Sequence, residues 1–269
     1  MIPKRAPRQF ASLAWLTAIE VLRQPLCLLL TVSSVLFISV MPLVMTHSLG
    51  ESEKLVRDSA LAVIFTAGLV LGGYAACSTF SQEVRRGTAA SILSKPVGRG
   101  LFFLAKFAGV SLVMLLFCLT NLVATMMSTR MAAGSFVIDW WAGVPLLAAP
   151  PLALLSAGLW NYLTRRPFAS AGFAGLTFLL LLAFFAAGFV DARGAACPFG
   201  QAYYWPLLPV GVLITFAVIL LGAMAVSLAT RLDVVPTLAV CGLIFFAGLV
   251  SDYLFGRHAD SSAVAGLLY

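Results

Sequence analysis

FSQEVRRGTAASILSKPVGRGLFFLAKFAG, residues 80–109, is the only long polar interruption on the side of the chain that the basic residues mark as inner, and strongly apolar segments flank it. From Gln82 to Ser94, Val84, Ala89, Ile92 and Leu93 alternate with Glu83, Arg85, Arg86, Thr88 and Ser91. That pattern suits a short amphipathic helix lying along an interface. Pro96 ends it, because proline removes a backbone donor and pushes the preceding residue out of helical geometry. Arg99 and Lys106 lead into the next apolar segment, where long stems can lie in hydrocarbon while the charges reach the headgroups. On charge alone the stretch is also a plain basic loop that sets topology.

Working outward, hydrophobic residues make up 61% of the 269, charged residues 10%, and mean hydropathy is +1.02. Such values belong to an all-α, polytopic membrane helix bundle. Residues 1–269 read as a single transmembrane domain of about seven spans. The net charge of +7 is scattered through loops between apolar segments, so no nucleic-acid partner is expected.

Residues 1–25 carry Lys4, Arg5, Arg8 and Arg23, and place Phe10, Leu13, Thr17, Val21 and Leu22 on one helical face with Trp15 at its edge. They read either as a helix lying in the membrane plane and stopped at Pro25, or as a basic flank. Spans are expected at 26–46, 60–80, 101–127, 143–163, 168–190, 207–229 and 236–255. At about 1.5 Å per residue each covers roughly 30 Å of hydrocarbon. The charged segment 47–59 reads as a loop. Gly68, Gly72 and Ala76 form a small-residue stripe for a close helix crossing, within this chain or in a homodimer. Asn121 is expected to find an interhelical partner. Pro145, Pro150 and Pro151 should bend or break the fourth span, as a hinge or as simple bundle shape. Residues 191–206 end in aromatic Tyr203, Tyr204 and Trp205, as headgroup-level segments do.

With the N-terminus inside, Lys4, Arg5, Arg8, Arg23, Arg85, Arg86, Lys95, Arg99, Lys106, Arg165, Arg166 and Arg231 fall inside. Lys54, Arg57, Arg130, Arg193 and Arg257 fall outside. That asymmetry puts the N-terminus and residues 80–109 in the cytoplasm of a multi-pass inner (plasma) membrane protein.

No G-x-x-x-x-G-K-[ST] occurs, so the chain lacks the usual nucleotide-phosphate cradle. The apolar segments read as free of deep acids, lysines or histidines, which disfavours ion-coupled carriers and intramembrane enzymes. The five cysteines give no framework. Met41, Met45, His47, Met126, Met127 and Met131 near the outer end have ligand chemistry suited to Cu(I), although methionine is equally an ordinary gap-filler, and no metal is assigned.

The order Glu83, Arg86-Gly87-Thr88, Ile92-Leu93-Ser94-Lys95-Pro96-Val97, Arg99 and Lys106 resembles the cytoplasmic loop of ABC-2-type transporter permeases. The resemblance covers about thirty residues closely and the rest only by hydropathy. It implies a membrane subunit, not itself an enzyme, that pairs with a second permease subunit as a homo- or heterodimer and is driven by a separate ABC ATPase subunit. ATP would be bound by that partner, and this chain would hold no cofactor. Residues 82–100 would be the coupling loop. Glu83, Arg86, Gly87 and Thr88 would form its docking end, Leu93 and Pro96 would fix its angle, and Arg99 and Lys106 would tether it to the lipid headgroups. Seven spans leave Tyr269 outside, where this family returns its C-terminus to the cytoplasm, so a shortened member is expected. The alternative is a non-transporting membrane scaffold for maturation of a partner enzyme.

Overall fold

A computed structural model describes residues 6–45, 52–85, 99–133 and 138–255, with no side chain described for 80–85, 99, 249 or 251–255. Eight helices make up the described fold: α1 (Ala6–Leu22), α2 (Pro25–Val44), α3 (Ser52–Arg85), α4 (Arg99–Ala132), α5 (Trp140–Thr164), α6 (Phe168–Ala187), α7 (Leu207–Leu228) and α8 (Val234–Phe255). Six of them, α2 to α7, are long and apolar enough to cross a membrane. Large apolar side chains also face outward, among them Leu155 at 70%, Leu213 at 69% and Phe178 at 65% exposure. A water-soluble surface does not tolerate a belt of that kind, whereas hydrocarbon does. The chain is an all-helical, multi-pass membrane protein.

Two of the expected boundaries move. The charged segment 47–59 is helical from Ser52 onward, because Glu53 favours a helix start and pairs with Arg57 one turn later at 3.8 Å. The third span continues past Met127 to Ala132, with Arg130 inside the helix. The seventh expected span, 236–255, is the helix α8, Val234–Phe255. The three prolines do not interrupt α5.

Helix α4 is the axis of the bundle, packing on α1, α2, α3, α5, α6 and α7. From Thr120 to Met131 every residue is buried, so this half of the helix has no lipid-facing side. Interhelical hydrogen bonds come from Thr120, 2.9 Å from the Thr177 hydroxyl of α6, and from Ser128, which donates to Ile38 O of α2 at 2.7 Å. The role expected of Asn121 falls to these two residues. Its own Nδ2 donates to Phe117 O one turn back at 2.9 Å, the local bond that competes with interhelical ones. Met126, Met127 and Met131 are buried packing residues, and Met131 lies against Gly143 of α5.

The small-residue stripe of α3 meets α7 of the same chain. A Cβ on Gly68 would stand 3.0 Å from Val218, and one on Gly72 would stand 3.7 Å from Gly222 Cα. Ala76 continues the contact against Ala225 and Val226. Glycine here removes the side chains that would otherwise hold the two helices apart.

Candidate functional site

The site that the resemblance points to lies between α3 and α4. Arg86, Gly87, Thr88, Leu93 and Pro96 fall outside the described residues. Glu83 lies in the last turn of α3 and Arg99 opens α4, with backbone helical and side chain undescribed. What the structure does describe is how the two helices that bracket residues 86–98 are held.

Both helices are 34 residues long. At about 1.5 Å per residue each measures roughly 50 Å, well beyond a hydrocarbon thickness of roughly 30 Å. One is tied to the corner where α1 turns into α2, the other to α1 itself. On α3, Ser78 accepts from Gln24 Nε2 at 2.8 Å, and Gln24 is itself buried in that corner. On α4, Lys106 Nζ lies 3.7 Å from Glu20 Oε2 of α1 and 5.8 Å from the Phe102 ring centroid. One turn further along, α1 crosses α4 at Gly109, where a Cβ would stand 2.6 Å from Thr17 Cβ and overlap the Ala14 carbonyl. Thr17, Ala18 and Val21 are buried in this crossing, while Trp15 and Leu16 face outward.

Lys106 therefore departs from its expected place. It is 4% exposed and points into the α1–α4 seam, not out to the headgroups. The physical reason is Glu20: an ammonium that meets a carboxylate inside a seam keeps its charge paired. It also means that one lysine is enclosed by the bundle, near the start of α4.

The opposite end of α4 carries a polar cluster that the sequence reading left in an outer loop. Arg130 Nε donates to Asp139 Oδ2 at 2.8 Å, while Nη1 and Nη2 donate to the carbonyls of Ala187 and Val190, each at 2.6 Å. Asp139 is also the N-cap of α5, its Oδ1 accepting from the backbone of Trp141 and Ala142 at 3.0 and 3.3 Å. The Arg130 guanidinium stands 5.4 Å from the Tyr203 ring centroid. Tyr203 donates to Phe184 O at 2.7 Å and stacks on Phe184 with centroids 4.3 Å apart. Burial pushes the Tyr203 phenol up to about 12, against the opposing pull of Arg130. Residues 188–206 thus fold as a lid over the end of α4, with Gly194 and Gly200 taking the left-handed turns that closure requires. Asp139 before an apolar run is a readable helix start. Nothing local in the sequence joins Arg130 to carbonyls 57 and 60 residues away.

Comparison with protein-family models, curated proteins and solved structures finds no match. Among the described residues, no group of three or more His, Cys, Asp or Glu is placed to hold a metal ion.

Proposed function

We propose that the chain is the permease subunit of an ABC transporter, placed in the inner membrane with its N-terminus in the cytoplasm and driven by a separate ATPase. The observation that carries this reading is the shared anchoring of the two helices that flank residues 86–98. One is held at Ser78 to Gln24 in the α1–α2 corner, and the other at Lys106 and Gly109 to the body of α1 that leads into that corner. A force on the connecting stretch would then move α3, α4 and that corner together. Helix α4 runs on through the bundle to Arg130, whose partners lie at the start of α5, at the last residue of α6 and just beyond it. Push and response would be linked by one long helix.

In this reading Glu83, Arg86, Gly87 and Thr88 meet the ATPase, Leu93 and Pro96 set the angle of the docking helix, and Arg99 anchors it. Lys106 acts differently from the family expectation, binding α4 to α1 through Glu20. A second permease subunit completes the transporter, and ATP chemistry belongs entirely to the partner.

The test is purification of the tagged chain in mild detergent from its own cells, beside a Glu83→Lys variant. A P-loop ATPase that accompanies the parent and is lost from the variant supports both the class and the docking end. An intact, folded chain that brings no ATPase overturns the reading and leaves the scaffold alternative.

A further inference from the structure

A second feature of the same end of the bundle is independent of the ATPase. Where α1 ends and α6 begins there is a cleft of about 370 Å³. Ile19 and Leu22 of α1 give it an apolar floor, Trp160 of α5 a wall, and Arg23, Arg166 and Ser170 a polar rim. The two arginines come from separate corners of the chain, the α1–α2 turn and the α5–α6 turn. No carboxylate lines the cleft, and neither arginine has an acidic partner among the described residues. Glu20, the acid nearest in sequence to Arg23, is turned away to Lys106.

The backbone fixes Arg166 in place. Arg165 adopts the left-handed conformation that ends α5, with φ of 55°, Pro167 follows, and the Arg166 carbonyl accepts from Asn161 Nδ2. Pro167 stands at the N-cap of α6 and offers no side-chain cap, so the first-turn amides add positive potential on the side of the cleft that Arg166 lines. Arg23 and Arg166 are both exposed on this rim, and an anion seated in the cleft would be attracted by both. A guanidinium fork matches phosphate oxygens in geometry and charge. The apolar floor and indole wall suit a glycerol or acyl segment attached to that phosphate, and basic pockets between spanning helices are a general means of holding anionic headgroups.

We propose that this cleft binds a phosphate ester, carried either by an anionic phospholipid or by a soluble molecule, with Arg23 and Arg166 as its ligands. The test uses the purified full-length chain in neutral detergent, with binding read by native mass spectrometry and by thermal unfolding. Three probes are added separately: dioctanoyl phosphatidylglycerol, dioctanoylglycerol without phosphate, and glycerol phosphate without acyl chains. The expected result is retention of phosphatidylglycerol about ten-fold over dioctanoylglycerol, as charge-assisted bonds to phosphate imply. Equal stabilisation by glycerol phosphate assigns a soluble ester as the source, and stabilisation by the lipid alone assigns the headgroup. The double variant Arg23→Gln with Arg166→Gln should lose that preference, while Arg231→Gln, an exposed arginine outside the cleft, should keep it.

Equal retention with and without phosphate overturns the proposal, as does undiminished binding by the double variant or an equal loss in Arg231→Gln. If the double variant does not fold, salt titration of the parent chain decides: affinity that falls as ionic strength rises supports the site, and salt-independent affinity overturns it.

Discussion

The carboxylate of Asp139 accepts from Arg130 Nε at 2.8 Å, and the two side chains are only 5% and 2% exposed. Removing one member of such a pair strands the other's charge, at a cost of about 3–5 kcal/mol. Arg130→Met and Asp139→Ala should each lower the thermal unfolding midpoint in detergent steeply. The double variant should fall by less than the two single losses combined, because no stranded charge remains. Strict additivity in this double-mutant cycle would show that the pair does not act as a unit.

Gly109 lets α1 lie directly on α4. Gly109→Val would place a branched side chain against the Ala14 carbonyl and Thr17. Overpacking of this kind costs about 1–3 kcal/mol. The expected outcome is an inserted chain whose α1 has lifted from the bundle, measured as faster proteolytic cleavage within residues 6–22. Gly100, with no neighbour within 4 Å of a Cβ, is the matched control, and Gly100→Val should cleave at the parent rate.

Tyr203 gives the lid over the end of α4 an alkaline limit. Its folded pKa is raised to about 12 from 10.0, mainly by burial. Below 10 the phenol is protonated in both the folded and unfolded chain, and the stabilisation is fully present. As pH rises from 10 to 12 the unfolded chain releases the proton first, so stability falls by roughly 1.4 kcal/mol per unit. Unfolding midpoints measured across that range should decline in the parent. Tyr203→Phe should start lower, having lost the bond to Phe184 O, and should decline less steeply.

The transporter reading makes its own demand on Gly87 and Gln24. Gly87→Trp should leave insertion and folding intact while uncoupling ATP hydrolysis from substrate movement. Gln24→Leu removes the buried contact to Ser78 and should weaken coupling without releasing the ATPase. Parallel assays of ATPase co-purification and of transport separate the two effects. Normal transport in both variants would count against a coupling role for this end of the molecule.

The helices themselves were legible in the sequence, because hydrocarbon thickness and apolar run length leave few alternatives. Residues 25–44 and 168–187 fall almost where the apolar runs place them. The misread parts share one cause: polar residues were assigned to loops or headgroups on polarity alone. Glu53 and Arg57 look like loop charges until their four-residue spacing is counted, and Lys106 looks like a headgroup anchor until Glu20 is seen across the seam. Arg130 was the least legible, since two of its three acceptors are carbonyls contributed by distant backbone. Carbonyls carry no signature in a one-letter sequence. Of the candidate coupling residues, only Lys106 has a described side chain, and it pairs with Glu20, a neighbour that hydropathy could not reveal.

The bonds of Arg130 also set an order of manufacture. Asp139 follows it by nine residues, but the carbonyls of Ala187 and Val190 emerge only after α5 and α6 have been synthesised. Until then the guanidinium at the end of α4 needs water or lipid phosphate to occupy its remaining donors. This end of the bundle is therefore sealed late. A ribosome stalled before residue 190 would hold a protein whose central helix is inserted but not yet locked.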